Sequence, residues 1–520
     1  MCACVDRRIM AAASFSLLLL VAGYPNSTAA AGALSPATLT NSPSAPRMPV
    51  ESGSESMGPL SVHLENPRYF ADARGNAVYL TGSHTWNTVQ DMLVADGYTL
   101  DFDVYLDFLE RHGHNFLRLW IWEQASRAPW SRDETRFLPL PYERPGPGAA
   151  LDGQPRFDLE SFNQAFFERL RSRVAKAQEH GVYVSVMLFQ GFSLDQKGHE
   201  LETSTWASIR RRLSKLGLGH PYMEVNNPWI DHPFNKENNI NGLDGDPLSH
   251  GDGRDVHTLR IPEVTRIQEA FVRKMIDTLN EFENVLWEIA NESHAESAAW
   301  QYHMIDFIHE YEKSKTQQHP VIMTVPWPEG DNAILFASPA EAISPNEKNG
   351  HRDNTAVADG TKVMIVDTDH LWGIGGDWRW VWKSFLSGMN PIFMDPYHAP
   401  GFQEHPTRGE WHAIRRSMGD TRKLADRIDL ARMLPKPELA SSGFCLADPG
   451  KRYLVYVTGG DETIVDSSAA PGKLQIEWFD PVTGTSLESG TTRGTKAGAF
   501  RSPVGNDAIL HLRCKEPCEP

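Results

Sequence analysis

Five cysteines in 520 residues are too few for a disulfide scaffold. Cys2 and Cys4 precede an N-terminal apolar run, and Cys445, Cys514 and Cys518 cluster near the C-terminus. One disulfide with a spare thiol is expected among these last three. The stretch CKEPC at 514–518 has no second cysteine pair or histidine cluster to complete a zinc site. Long apolar runs are missing too. The run Ile9–Tyr24 is short for a bilayer span, follows Arg7 and Arg8, and leads into small residues with A-x-A sites ending at Ala31 or Ala33. Residues 1–31 therefore read as a secretory signal peptide, which implies a secreted or periplasmic protein without a membrane anchor. Basic residues are scarce: 50 Lys and Arg against 67 Asp and Glu, a net charge of −17. Without residues 1–31 the balance is 48 to 66. No basic stripe exists to neutralise phosphates, which excludes nucleic acid and anionic membranes as partners. No internal repeat is present.

What is there is a globular composition, 40% hydrophobic and 10% aromatic, with fifteen tryptophans. Residues 32–58 are rich in Ser and Pro and read as a linker. From 59 to 434, short apolar runs alternate with helical patterns. The expected strands are Ala77–Gly82, Asn115–Trp122, Val182–Gln190, Val285–Ala290, Val321–Val325, Glu341–Ser344, Lys362–Asp367 and Pro391–Met394. Helical periodicity covers 158–180, with Asp158 as the expected cap and Gly181 as the stop; a second helix starts at Pro262. Eight strands alternating with helices predict an α/β fold, a (β/α)8 TIM barrel. A polar insertion at 191–260 is expected to cover substrate; its Asp and Asn residues do not match an EF-hand spacing. Residues 435–520 carry short alternating strands separated by turn signals, which predicts a small C-terminal β-sandwich.

In such a barrel the chemistry sits at the C-terminal strand ends. Those ends bring His84 and Trp86; Arg118, Trp120, Trp122 and Glu123; Gln190; Asn291 and Glu292; Trp327; Asn346; Asp367, Asp369, His370 and Trp372; and Asp395 and Tyr397. Carboxylates, amides and tryptophans around one rim suit glycoside cleavage. One carboxylic acid protonates the leaving oxygen, and a second carboxylate attacks or activates water. Trp120 and Trp122 share one side of their strand and so could instead be core, and Glu288, within its strand, reads as a structural carboxylate.

The run VLWEIANE, ending in Asn291-Glu292, resembles the fourth-strand signature of clan A glycoside hydrolases, the cellulase-like barrels. That resemblance implies Glu292 as acid/base and Asn291 as a ligand of the substrate 2-hydroxyl. Arg118 is similar to the clan's arginine beside the nucleophile. The stretch NPRYFADARGNAVYLTGSHTWNTVQD resembles secreted barrels that include apiosidase-like hydrolases, and the tail GFCLADPGKRYLVYVTGGDETIVD resembles a small β-domain named for collagen binding. One departure stands out. Where the clan has a nucleophilic Glu on the seventh strand, this chain has Asp, within DTDH. Counting along KVMIVD favours Asp367, with Asp369 next and Asp395 third. The shorter side chain leaves retaining and inverting mechanisms both open.

Two other functions compete. A zincin needs HExxH, and the nearest strings, at His199 and His309, lack the second histidine. A non-catalytic carbohydrate-binding barrel would keep the tryptophans without cleavage. The expectation is an enzyme acting on an oligo- or polysaccharide, with no cofactor and no metal. Neither the sugar nor the oligomeric state is legible.

Overall fold

The computed structural model describes residues 58–93, 99–128, 135–194, 227–327, 330–353, 356–373, 375–397 and 411–514. The predicted signal peptide, most of the linker and part of the insertion lie outside them. Eight parallel strands form one sheet: β1 (Gly82–His84), β2 (Phe116–Leu119), β3 (Tyr183–Gln190), β4 (Val285–Asn291), β5 (Val321–Thr324), β6 (Ala342–Ser344), β7 (Val363–Asp367) and β8 (Asn390–Met394). Each pairs with its chain neighbour, and β8 returns to pair with β1. At the remaining seam, β1 to β2, Asn115 N–H donates to the Thr81 carbonyl at 3.0 Å, and the Asn115 side chain accepts from Thr81 N–H at 3.0 Å. Gly82 permits this approach, since a Cβ there would lie 2.1 Å from the Phe116 oxygen. The result is a nearly closed (β/α)8 TIM barrel.

Alternate residues of each strand face the interior, and they change character along the strand. The floor is apolar, with Phe116, Tyr183, Leu286, Ile322, Ala342, Ile365 and Ile392 in one cluster. Two residues on, Arg118, Ser185, Glu288, Thr324, Ser344 and Asp367 take the next level and are all buried. The barrel thus runs from a greasy base to a charged mouth.

Around it lie α1 (Phe102–His112), α2 (Gln164–Glu179), α3 (Pro262–Leu279), α4 (Ala298–Glu312), α5 (Asn332–Ala337), α6 (Thr368–Trp372), α7 (Trp378–Leu386) and α8 (His412–Ala425). Pro262 occupies the first turn of α3, as read from sequence, and Gly181, at φ +66°, follows α2. Two boundaries differ. Residues 158–162 form a strand paired with Tyr142–Glu143, and α2 starts later, capped by Asn163 rather than Asp158. The first barrel strand begins at Gly82, while Ala77–Val78 joins a three-stranded antiparallel sheet whose Phe70 helps close the barrel floor.

The tail builds a six-stranded antiparallel sheet from β9 (Leu434–Pro435), β10 (Cys445–Asp448), β11 (Arg452–Val457), β13 (Lys473–Asp480), β14 (Thr485–Arg493) and β16 (Ala508–Cys514). A two-stranded sheet of β12 (Glu462–Val465) and β15 (Gly498–Arg501) completes it. One face of the larger sheet packs Tyr453, Val455 and Leu510 with Val465 and Phe500 of the smaller sheet. Its other face packs Leu454, Tyr456 and Ile509 against Trp382, Phe385 and Met433 of the barrel. Strands β14 and β15 escape sequence reading because neither alternates cleanly in hydrophobicity. Cys445 is a buried free thiol pushed up to about 12 by burial; Cys518, and with it any disulfide it makes, lies outside the described residues. Among the described residues no helix is long and apolar enough to cross a membrane.

Candidate active site at the barrel mouth

Arg118 on β2 is the hub of the mouth. Its Nε donates to Glu288 at 3.0 Å, Nη2 donates to Glu288 and to Asn291 Oδ1 (2.8 Å), and Nη1 donates to Asp367 Oδ2 (2.9 Å) and reaches Asp369 Oδ2 at 3.4 Å. Burial alone would weaken its positive charge, but the facing carboxylates outweigh that and raise its pKa. Glu288 also accepts from Ser185 Oγ at 2.8 Å, so it is an interior strut, as its place within β4 suggests.

Asp367 and Asp369 sit two residues apart in different settings. Asp367 ends β7 and caps α6, with Oδ1 accepting Asp369 N–H at 2.9 Å. His84 Nε2 lies 3.0 Å from the same oxygen. His84 Nδ1 accepts the Trp120 indole N–H at 3.0 Å, which leaves the imidazole proton on Nε2, facing Asp367. Burial pushes the Asp367 carboxyl up, but His84 and Arg118 outweigh it and hold it well below the usual carboxylate range. Its side chain is 1% exposed, against 11% for Asp369.

Glu292 follows β4 directly, in the left-handed region at φ +44°, which a non-glycine residue adopts only under constraint from its surroundings. Single donor atoms of Glu292, Asp369 and His370 all lie within 4.8 Å of one another. His370 is fixed by Ser344 Oγ at Nδ1 (2.8 Å) and Asn291 Oδ1 at Nε2 (3.1 Å). Burial lowers its pKa, which favours the neutral ring. Asn291 is spent on Arg118 and His370 through Oδ1 and on Gln190 Oε1 through Nδ2 (3.3 Å).

The residue after Glu292 is anchored twice. Trp327 N–H donates to the Ser293 carbonyl at 2.8 Å, and Ser293 Oγ lies 2.9 Å from His257 Nδ1. His257 Nε2 meets Glu123 Oε1 at 3.1 Å, and its ring stacks on Trp300 at 4.4 Å. Burial pushes the Glu123 carboxyl up, but His257 and His232 more than offset this and bring it down to about 2. Glu123 is therefore a buried partner of histidines, and Gln190 is a buried hydrogen-bonding residue that accepts from Phe192 N–H at 3.0 Å. His232 and His257 both come from the insertion. Residues 227–260 bury Trp229, Phe234 and Val256 and brace the mouth from the side. Residues 195–226 lie outside the described part. Sequence reasoning missed His232, His257, Ser293, Ser185 and Ser344, because nothing local marks a buried hydrogen-bonding residue in a polar loop or strand.

The remaining candidates divide. Trp120 and Trp122 are each 1% exposed, so they underpin the mouth and offer no open face for a sugar ring. Trp86 lies with them in the same cluster, accepting the Trp122 indole N–H on its carbonyl. Trp327 and Trp372 are half-buried; Trp327 stacks on Phe192 at 6.3 Å, and Trp372 meets Trp380 edge-on. Asp395 and Tyr397 are not brought to the cluster. Arg415 of α8 grips Asp395 through Nε (2.7 Å) and Nη2 (2.5 Å), and Tyr397 packs on Tyr105 and Phe108 of α1. After β8 the chain turns toward the helices, so these two rim candidates, Asp395 also the third choice of nucleophile, pack as structural residues away from the cluster. Three groups among the described residues place three possible metal donors together: Glu292–Asp369–His370, Asp246–His250–Asp252 and Asp107–Glu110–His180. In the second, Asp246 already accepts the backbone N–H groups of His250 and Gly251 (2.9 and 2.6 Å).

No protein-family model matches the chain, and no curated protein matches it. Solved structures share its fold. A glycoside hydrolase family 5 protein from Bacteroides vulgatus aligns over 88% of this chain and 93% of its own, with a TM-score of 0.54 at 13% identity. A structure titled glycoside hydrolase aligns over 88% and 97%, with a TM-score of 0.54 at 13% identity. A second Bacteroides vulgatus protein aligns over 89% and 83%, with a TM-score of 0.56 at 14% identity. At these identities the likeness is one of fold, and it spans barrel and tail together.

Proposed function

We propose that this chain is a secreted glycoside hydrolase that cleaves O-glycosidic bonds by double displacement, with Glu292 as acid/base and Asp369 as nucleophile. The observation that carries the reading is the pair itself: two carboxylates from the ends of β4 and β7, with oxygens within 4.8 Å, and with Arg118 reaching Asp369 at 3.4 Å. Oxygens this close suit the retaining arrangement, with carboxyl groups about 5–5.5 Å apart, better than the 6.5–9.5 Å that leaves room for an inverting water. Asp369 takes precedence over Asp367, which the strand count alone favours. Both oxygens of Asp367 are occupied by His84, Arg118 and the α6 backbone, and it is sealed from solvent. Asp367 then fixes Arg118 and the start of α6, so that Asp369 is presented.

In the first step Glu292 protonates the leaving oxygen while an Asp369 oxygen bonds to the anomeric carbon, giving a glycosyl ester. In the second, Glu292 takes a proton from water, whose oxygen displaces Asp369 and regenerates both carboxyl groups. No metal or organic cofactor enters. The Asn-Glu pair, the fold shared with glycoside hydrolases and the expected secretory leader support an extracellular glycan as substrate. The test is a panel of plant and microbial glycans with wild type, Glu292→Gln, Asp367→Asn and Asp369→Asn. We expect reducing sugar from wild type only, about 10³-fold less from Glu292→Gln, and recovery of Asp369→Asn by azide as the glycosyl azide of inverted anomeric configuration. Equal sugar release by wild type and Glu292→Gln would remove the acid/base assignment, and azide recovery confined to Asp367→Asn would restore Asp367 as nucleophile.

A further inference from the structure

Asp367, Thr368, Asp369 and His370 make the turn that leaves β7 and enters α6, and three of them are fastened to other strands. Asp367 meets His84 of β1 and Arg118 of β2. Thr368 Oγ accepts the Met394 N–H of β8 at 2.8 Å. His370 reaches the opposite side of the mouth, to Asn291 at the end of β4 and Ser344 at the end of β6. The turn that carries Asp369 is thus tied to five other strands of the barrel. The His370 side chain is 0% exposed, so it acts on the mouth through its neighbours.

The hydrogen bonds around Asn291 determine which nitrogen of His370 carries the proton. A guanidinium can only donate, so the Asn291 atom 2.8 Å from Arg118 Nη2 is the carbonyl oxygen, Oδ1. The same oxygen lies 3.1 Å from His370 Nε2, which therefore donates to it. In the neutral ring Nδ1 is then bare and accepts the Ser344 hydroxyl at 2.8 Å. Turning the Asn291 amide over would set its NH2 group against two donors, Arg118 and His370. Guanidinium, amide, imidazole and hydroxyl therefore interlock in a single arrangement.

Asn291 and His370 are the chain neighbours of Glu292 and Asp369. A bond between the first two consequently limits how far the second two can part. Carboxylates with oxygens within 4.8 Å of each other repel when both are charged, and the Asn291–His370 bond opposes that repulsion. His370 Nε2 also lies 3.8 Å from Asp369 Oδ2. A neutral N–H at that distance places the positive end of a dipole beside Asp369 without the full charge that would lock it in an ion pair. We propose that His370 is the positioning residue of the Glu292–Asp369 pair, setting the spacing of the two carboxylates through its Nε2–H bond to Asn291 and touching no substrate itself. The proposal rests on the hydrolase reading for what the pair does, but the Nε2–H arrangement can be tested without turnover.

Two measurements on the full chain test it. The first is the kinetics of a glycoside that the wild type cleaves, in His370→Phe, His370→Gln, Asn291→Ala and the double variant His370→Phe/Asn291→Ala. Phenylalanine keeps a ring of similar shape without its hydrogen bonds, whereas glutamine can still offer an N–H. We expect His370→Phe to lower kcat about 10²-fold, the effect of misplacement by about 1 Å, with KM within about threefold and about tenfold of the loss recovered in His370→Gln. The double variant should be no slower than the slower single one, because both substitutions break the same bond. A loss confined to KM would make His370 a substrate ligand and overturn the proposal, and so would losses that multiply in the double variant. If Glu292→Gln and Asp369→Asn lose turnover while folded His370→Phe keeps it, the positioning role fails and the catalytic reading stands. Wild-type turnover in Glu292→Gln or Asp369→Asn would instead remove the pair, and the role of His370 with it. The second measurement is the nitrogen NMR spectrum of protein labelled at its histidine rings, with the His370 signals assigned by their loss in His370→Gln. A neutral ring protonated on Nε2 is expected at neutral pH, and a ring protonated on Nδ1 overturns the proposal whatever the kinetics show.

Discussion

Strands β7 and β8 finish alike in sequence, VDTD at 366–369 and MDPY at 394–397, and the structure puts the two endings to opposite uses. Each presents a buried aspartate to a buried arginine. Asp395 and Arg415 form a closed pair among the aromatic rings of α1 and β8. Asp367 and Arg118 form an open one, because Arg118 is shared with Glu288, Asn291 and the partly exposed Asp369. An aspartate at a strand end is therefore no signature of catalysis. What distinguishes the β7 end, and makes it the proposed site, is a further carboxylate that solvent can reach.

Substitution at the two ends should separate these roles. Asp369→Asn is expected to lower kcat about 10³-fold or more with little change in folding, read from turnover per folded molecule. Asp395→Asn should do the reverse. It strands a buried arginine, costing about 3–5 kcal/mol of stability, with turnover per folded molecule within about twofold. If Asp395→Asn abolishes turnover in folded protein, the closed-pair description of β8 is wrong. A middle-sized effect is expected where the insertion meets the acid/base. His257→Ala frees Ser293 and loosens Glu292 at φ +44°, and misplacement of about 1 Å can cost about 10²-fold; His257→Gln should recover part of it. Ser293→Ala removes one hydrogen bond, about 1 kcal/mol or roughly fivefold. Unchanged pH–rate profiles and unchanged kcat in both would detach the insertion from the chemistry.

Acid should reveal a smaller, global effect. Burial lowers the pKa of His114 to about 3 and of His294 to about 4. In the unfolded chain both protonate near 6.5. Above that pH they place no penalty on the fold. As pH falls from about 6.5 towards 4, the unfolded state binds more protons and stability drops. Glu123, held near 2, adds further loss only below about 4, as pH falls from its unfolded value toward its folded one. Urea midpoints at pH 7.5, 5.5 and 4.5 should decline in that order, and a midpoint that rises at pH 5.5 contradicts the buried neutral histidines. The smallest effect expected is that of a chelator. If EDTA abolishes hydrolysis, Glu292, Asp369 and His370 act as metal ligands and not as the proposed pair.

Much of the fold was legible because strand and helix periodicity are local. VLWEIAN and KVMIVD are continuous buried runs with no ambiguity of face, and Pro262 and Gly181 mark helix ends by their own backbone limits. The boundary at Asp158 failed because an Asn five residues later caps equally well, and only pairing with Tyr142–Glu143 draws 158–162 into a strand. The rim inventory came from the same local rule, that barrel strand ends carry chemistry.

The sequence by itself thus determined the barrel, the tail and the list from which the site is drawn, since each depends on the order of residue types along the chain. Tertiary structure alone decided which members of that list meet. It turned Asp395 outward, seated Asp367 under His84 and Arg118, left Asp369 within reach of Glu292, and carried His257 from a distant loop to the residue beside the acid. These are matters of register, closure and burial, which act through space between residues that no local pattern relates.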